Sequence, residues 1–301
     1  MDAQGKKEGD CPMAVVINTN VDAIKIRHIL NRATTDMSGS MQKLSSGLKI
    51  NSAKDDAAGT VIAARMKVQL SGNKIAQNNV QNGIAMLGTA EGNLDVIEEN
   101  VSRIRDLTIQ AKNGTYSDKE VEAMQEEVKE RIEEIDRLSN SAKYSGTFLF
   151  QDSGAVNFQV GANYDENNII TASEDIFKKV TFSAITQAGN QATKNFNLTN
   201  LKKDDGSSGI DFDEALETLD EALDDITGRK SLIGSSQNRL ESALDTLTIQ
   251  YENLSSAKSI ITDADVAEEA SLYTQNSILQ QISTSLLTQA NQAPSVALSL
   301  V

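Results

Sequence analysis

Ser52, Lys54, Asp55 and Asp56 fall within five positions of one another in the stretch INSAKDDAAG (50–59). A serine beside a lysine is the pair of a base-activated nucleophile, and two adjacent carboxylates can share acid and base work. Catalysis of this kind needs the hydroxyl and the amine in contact, with oxyanion donors nearby. Residues two apart on a helix face away from each other, so only a loop could bring Ser52 to Lys54. The structural alternative asks less of the stretch. Ser52 and Asp55 cap the entry of the next helix, Lys54 and the two aspartates make ion pairs to neighbours, and Gly59 permits close backbone approach. On this reading Asn51, Ser52, Lys54, Asp55, Asp56 and Gly59 form an inter-domain joint, not a catalytic loop.

Few other residues could do chemistry. His28 is the single histidine and Cys11 the single cysteine, which excludes a multi-histidine metal site and an internal disulfide framework. His28 sits on a helical seam and reads as a packed or exposed side chain; Cys11, in a polar tail, could crosslink two chains under oxidation. No enzyme, cofactor or metal is expected.

The elements around these residues are helical. Only two prolines occur in 301 residues, Pro12 and Pro294, and aromatic residues make up 4% with no tryptophan. Long uninterrupted helices are therefore permitted. From Val80 the residues Ile84, Leu87, Ala90, Leu94, Ile97, Val101, Ile104, Thr108 and Ala111 follow in steps of three and four, a coiled-coil seam. After the turn NGTYSD a second seam, Val121, Met124, Val128, Ile132, Ile135, Leu138 and Ala142, starts from a Ser117–Glu120 capping box and should fold back antiparallel. A third runs Leu216, Leu219, Leu223, Ile226, Lys230, Ile233, Gln237, Leu240, Leu244, Leu247, Tyr251 and Leu254. Its polar members Lys230 and Gln237, beside Gly228 and Gly234, predict a loosened zone. The acidic run EEVKERIEE (126–134) reads as a solvated face with charge pairs at helical spacing.

Between these seams VNFQVGAN and NNIITA alternate as short strands joined by the turn-like NYDEN, predicting one small β-hairpin. Residues 174–209 then predict a short exposed insert. The N-terminal seam, Ile17, Val21, Ile24, His28, Asn31, Thr35, Ser38 and Met41, is thin, and Leu279, Ile282 and Leu286 offer a complementary stripe at the other end. The two ends are expected to pair, yet to need surfaces from other chains to stay ordered. The fold class is thus mainly α, an elongated antiparallel coiled-coil bundle with paired terminal helices and a small β-hairpin subdomain. The expected divisions are a disordered extension over 1–12, with Met13 as the natural start; a terminal coiled-coil domain of 13–57 and 262–301; a bundle-plus-hairpin domain of 58–173 and 210–261; and the insert.

A formal net charge of −15 with no basic stripe argues against nucleic acid and anionic membranes as partners. No apolar run is long enough to span a bilayer, and the first twelve residues lack the apolar core of a signal peptide.

LSSGLKINSAKDDAAG (44–59) resembles the signature of bacterial flagellin, and VSRIRDLTIQA, FQVGAN, SAKSIITDADVAEEAS, ILQQISTSLLTQANQ and the closing LSLV are similar to the same family in the same order. The resemblance implies an extracellular helical homopolymer, exported unfolded by the flagellar type III apparatus and assembled under a filament cap. The termini would form its inner tube and the bundle its outer tube. It implies as partners an export chaperone on the C-terminal helix around Leu279, Ile282 and Leu286, the cap and hook-junction proteins, the vertebrate flagellin-sensing Toll-like receptor and a plant flagellin receptor kinase. The Toll-like receptor residues of the family match Arg103, Leu107 and Glu127. Arg103 and Leu107 are expected to share an outward face. The plant receptor segment matches 42–63. The family's large surface domains are missing. The alternatives weighed are a hook-filament junction protein of the same superfamily, a filament-borne protease, for which no HExxH motif exists, and a membrane-acting secreted coiled coil, for which no apolar hairpin exists.

Overall fold

The computed structural model describes residues 19–152, 154–186, 198 and 212–298, with side chains up to 292. The chain is mainly α. It divides into two compact units, residues 1–67 with 255–301 and residues 68–254. The boundaries fall inside two long helices, at 67/68 and 254/255, whereas the sequence patterns placed them at 57/58 and 261/262. The extension over 1–12, with Cys11, and Ile17 lie outside the described residues.

In the first unit, helix α1 spans Val21–Ser46. Asn20 caps it by accepting a hydrogen bond from the Ala23 amide at 2.9 Å. Gly47 ends it with φ +70° and returns its N–H to the Lys43 carbonyl at 2.8 Å, a conformation that an L side chain resists. Helix α2 spans Ala57–Lys112, and its first part, to Lys67, belongs to this unit. The last part of α6 (Phe212–Thr262) and all of α7 (Val266–Leu298) complete it. Asp265 caps α7, its carboxylate accepting from the Ala267 and Glu268 amides.

α1 and α7 pair antiparallel: Asn20 donates to the Ala290 carbonyl, Gln280 reaches Thr34, and Lys43 meets Glu269. The terminal pairing thus forms, but through a different face from the one the sequence suggested. Ala33 and Ser40 are buried, with Ile26, Leu30, Met37 and Leu44 half-buried, and opposite them lie Tyr273, Gln280, Ser283 and Leu287. Val21, Ile24, His28, Asn31, Thr35, Ser38 and Met41 face outward, Met41 being 62% exposed, and so do Leu279, Ile282 and Leu286. The reason is register. Moving the α1 frame by two residues replaces four polar seam positions with Leu30, Ala33, Met37 and Ser40, and the small Ala33 and Ser40 let the α7 backbone come close.

In the second unit the rest of α2 packs with α3 (Asp118–Ser141) and the rest of α6. The seams from Val80, Val121 and Leu219 supply its core: Val80, Leu87, Leu94, Ile97, Val101 and Ile104 on α2; Val121, Val128 and Ile135 on α3; Leu219, Ile226, Ile233 and Leu240 on α6. Thr108 sits in this core because its hydroxyl donates to the Ile104 carbonyl one turn back. α3 starts as expected, with the Glu120 carboxylate accepting from the Ser117 amide and hydroxyl. The expected loose zone of α6 is instead a bonded one. Lys230 sits between Asp95 at 2.6 Å and Glu98 at 2.8 Å, and Gln237 donates to Glu91 at 3.2 Å. Polar seam residues that find partners on the facing helix fix register and do not loosen it.

A tight hairpin of β1 (Lys143–Tyr144) and β2 (Thr147–Phe148) follows α3, turning through Ser145 and Gly146 at positive φ. The predicted hairpin is β3 (Val156–Gln159) antiparallel to β4 (Ile169–Ala172), with Val156 opposite Ala172 and Gln159 opposite Ile169. The exposed insert is corrected over its first part. Residues 174–186 hold two one-turn helices, α4 (Glu174–Phe177) and α5 (Phe182–Ile185), and Ile176, Phe177, Val180, Phe182 and Ile185 are buried core residues. The Phe182 amide donates to Asp136, and Arg229 donates to the Lys178 carbonyl. Leu198 is buried too, its amide donating to Gln125. The polar, turn-rich composition of 185–209 makes the whole stretch read as an exposed insert; packing against α3 and α6 makes its apolar first part core. Residues 187–197 and 199–211 lie outside the described residues.

Candidate functional site

The INSAKDDAAG stretch is a turn between α1 and α2 inside the first unit. One oxygen of Asp55 accepts from the Ser52 amide at 2.9 Å, the Asn51 amide at 3.1 Å and the Ser52 hydroxyl at 3.1 Å. These bonds, the Ser52 amide first, hold its carboxyl below the ordinary carboxylate value, so it is committed as an acceptor and is a poor base. The cap of α2 is Asp56, which accepts from the Gly59 amide at 3.0 Å; the sequence had assigned capping to Ser52 and Asp55. Lys54 makes no ion pair among the described residues, contrary to expectation. Gly59 lets the Asp56 and Ile50 side chains lie close to the backbone, since a Cβ there would stand 2.4 Å from an Asp56 oxygen and 2.6 Å from the Ile50 Cδ1 and both tips would have to shift. The neighbouring backbone is tied to the α6–α7 turn: Lys49 donates to the Thr262 carbonyl at 2.7 Å, and Ala264 to the Gly47 carbonyl at 2.9 Å. The stretch therefore does structural work. Among the described residues no group of three His, Cys, Asp or Glu could hold a metal ion, and no helix is long and apolar enough to cross a membrane.

The terminal pair carries one ion pair at a buried position. Lys43 donates to Glu269 at 2.7 Å, and Glu269 is only 7% exposed. The Lys43 bond, helped by Ser40, lowers the Glu269 pKa from its ordinary value near 4.5. A carboxyl with a depressed folded-state pKa contributes stability that is complete above the ordinary value and is lost as the pH falls through the depressed one. Glu269→Gln is thus expected to loosen the α1–α7 pair by about 1 kcal/mol at neutral pH, discounted for the partly exposed Lys43. The variant should also flatten the loss of pairing below the ordinary carboxylate value. Amide hydrogen exchange across α1 and α7 at neutral and acid pH measures both effects.

The surfaces of this pair that face away from the contact carry large apolar side chains. Val21, Ile24, Ile29 and Met41 on α1 and Ile278, Leu279, Ile282 and Leu286 on α7 are all exposed. A monomer gains nothing from these residues where they stand; a second copy could bury them.

Arg103, Leu107 and Glu127 come together only in part. Arg103 donates from Nε to Glu127 at 3.0 Å, and Arg131 holds the same carboxylate at 3.1 Å while donating to Asn100. The Arg103 bond is the main reason the Glu127 carboxyl lies below its ordinary range, with Arg131 adding to it. Leu107 does not share an outward face with Arg103. It is 2% exposed, because α2 is covered on two sides, by α3 through Arg103–Glu127 and by α6 through Arg105–Asp220 at 2.5 Å. Arg131 and Asn100 belong to this network and were not singled out in the sequence; the i,i+4 spacing of Glu127 and Arg131 was the available signal.

Residues 17–155 match the bacterial flagellin N-terminal helical region and residues 216–301 the bacterial flagellin C-terminal helical region. The chain is 39% identical to a flagellin of Xenorhabdus nematophila over 96% of its own length and 100% of that protein. It is 43% identical to a phase 1 flagellin of Salmonella naestved over 51% of this chain and 30% of that one. Among solved structures, a flagellar hook-associated protein from Vibrio parahaemolyticus is similar in fold, with a TM-score of 0.57 at 17% identity, over 69% of this chain and 99% of that one. The two matched regions are separated by only about sixty residues, much of it the hairpin and the small helices that pack on the bundle, so a short flagellin without a large inserted domain accounts for the whole described chain. The chain belongs to the bacterial flagellin family, whose members build the flagellar filament.

Proposed function

We propose that this chain is the structural subunit of an extracellular flagellar filament, polymerising through its terminal helices into a helical homopolymer and working without enzymatic activity. The observation that carries the reading is the set of exposed apolar side chains on α1 and α7 that remains after the two helices have paired with each other. Burying eight such side chains between copies supplies roughly 1 kcal/mol or more each, enough to drive a repeated contact. Unfolded export through the flagellar type III apparatus suits a chain with a single cysteine and two prolines. Assembly then takes place under the cap on top of the hook-junction proteins. Before export, a chaperone with a helix groove would take the Leu279, Ile282 and Leu286 stripe, which is presented on one face of α7. The turn over Asn51, Ser52, Lys54, Asp55, Asp56 and Gly59 would serve as the joint between inner and outer layers. The direct test is electron microscopy of the concentrated protein with short filament seeds. Long hollow fibres are expected, and a monomer that remains soluble beside the seeds would overturn the reading.

A second reading is a hook-filament junction protein, favoured by the fold likeness to the hook-associated protein. It predicts growth that stops at a short ring, which the same micrographs distinguish.

The monomer would also meet innate immune receptors. The plant receptor kinase would read the 42–63 segment, and the Toll-like receptor the surface around Arg103 and Glu127. Because Leu107 is buried, the accessible part of that surface is the Arg103–Glu127–Arg131 network. Arg103→Ala with Glu127→Ala is expected to shift the dose response of receptor-bearing cells about tenfold, the effect of losing one to two kcal/mol of contact. An unchanged curve would show that the surface is not read.

A further inference from the structure

The FQVGAN segment and the β3–β4 loop are not used by the terminal contacts, yet they are held with unusual exactness. Gln159 donates its side-chain amide to the Gly161 and Asn163 carbonyls at 3.0 Å, Asn168 donates to the Asn163 carbonyl at 3.1 Å, and the Val160 amide donates to the Asn168 carbonyl at 2.7 Å. Two glycines make room for the loop. A Cβ on Gly161 would stand 2.2 Å from an Asn168 oxygen, and one on Gly72 of α2 would stand 2.7 Å from Ala162. The loop is built as a wall, with α2 and α6 as the facing sides.

The wall borders an open cleft of about 700 Å³ within the second unit. That size is in the range of small-molecule sites, about 300–1,000 Å³. Its lining carries no charged side chain, on a chain whose net charge is −15. What it carries is carboxamides: Gln69 and Asn73 from α2, Asn163 from the loop, and Gln250 and Asn253 from α6, placed one helical turn apart on each helix. None of these five side-chain amides is spent on a hydrogen bond within the described residues. Asn73 is the most telling, because it is 3% exposed and its amide nitrogen has no partner. A buried polar group without a partner costs about 1–3 kcal/mol, which a ligand oxygen would relieve. Tyr164, next in sequence to the lining residue Asn163, is fully exposed.

From the five unspent carboxamides and the adjacent exposed ring, we propose that this cleft binds a neutral oligosaccharide. A carboxamide offers donors and an acceptor together, as a sugar hydroxyl does, so five of them match a polyhydroxyl chain and give no preference to a charged ligand. The exposed Tyr164 ring, next in the chain to Asn163, offers a face for the apolar C–H side of a sugar ring. Ile170 and Leu247 provide the apolar floor that such a ligand also needs. A second copy of this chain would be expected to bring large apolar or charged anchors, and the lining has nothing to pair with a charge. The proposal concerns the monomer and does not depend on the filament reading.

The test is a nuclear magnetic resonance titration of the isotope-labelled full chain, at concentrations where it is monomeric, with chitotriose, mannotriose and maltotriose. Saturable shifts in the millimolar range are expected for at least one sugar, on the side-chain amides of Asn73 and Gln250 and on the backbone of 160–168. Gln250→Ala with Asn253→Ala, both at exposed positions, is expected to weaken binding about tenfold or more, and Tyr164→Ala several-fold. Three outcomes would overturn the proposal: no shifts with any of the three sugars, shifts that lie elsewhere or survive the double substitution, and cleft resonances that move with protein concentration alone. The last would assign the cleft to a second copy of the chain.

Discussion

Removal of residues 263–301 abolishes elongation of filament seeds and leaves the helical signal of the 68–254 unit in place. That is the expected result, and the two halves of it have separate causes. Without α7 the half-buried face of α1, with Ile26, Leu30, Met37 and Leu44, loses its covering partner, and an isolated 26-residue helix with a thin stripe is marginal in water. The outward face goes with it, since four of the eight exposed apolar side chains, Ile278, Leu279, Ile282 and Leu286, are on the deleted helix. The second unit keeps its own core, because the buried residues of α2, α3 and α6 between Ala76 and Leu247 pack on one another. Circular dichroism and seeded growth, followed on the same preparation, test both halves. Normal fibres from the truncated chain would remove the terminal pair from the assembly mechanism, and a loss of all helical signal would show that the second unit depends on the first.

The second large effect concerns the segment after the hairpin. Phe177→Ala is expected to destabilise the second unit by about 3–5 kcal/mol, the range for truncating a buried aromatic ring. Phe177 is among the largest fully buried side chains, with Ile176, Val180 and Phe182 around it in the same segment. An exposed insert predicts a change within about 0.5 kcal/mol for the same substitution, as for ordinary surface positions. Urea unfolding followed by far-ultraviolet circular dichroism separates the two by a wide margin. A small effect would return residues 174–186 to the surface.

The places where sequence pattern and structure part company share a physical cause. The α2 seam from Val80 to Ala111 could be followed residue by residue because apolar spacing repeated over nine steps admits one register. α1 has two overlapping stripes of similar weakness. Choosing between them requires knowing that α7 presents Ser283 and Gln280, and so needs small partners at Ala33 and Ser40. Leu107 was misplaced for a related reason: a heptad identifies one covered face, and α2 is covered on two. Lys230 and Gln237 looked like defects along their own helix and became specific pairs only when Asp95, Glu98 and Glu91 stood opposite. The capping roles at 50–59 were legible as a class, and the assignment of Asp56 in place of Asp55 depended on where the chain turned.

The sequence alone determined the helical class, the two long seams, the hairpin at 156–172 and the family, because each rests on local periodicity or on contiguous motifs that no tertiary contact can alter. Only the tertiary structure decided which face of α1 pairs with α7, that residues 174–186 belong to the core, and that five uncommitted carboxamides from α2, α6 and the hairpin loop line one cleft. Those features join residues far apart in the chain. Their energies come from the partner each side chain meets, and the partner is set by folding and not by spacing.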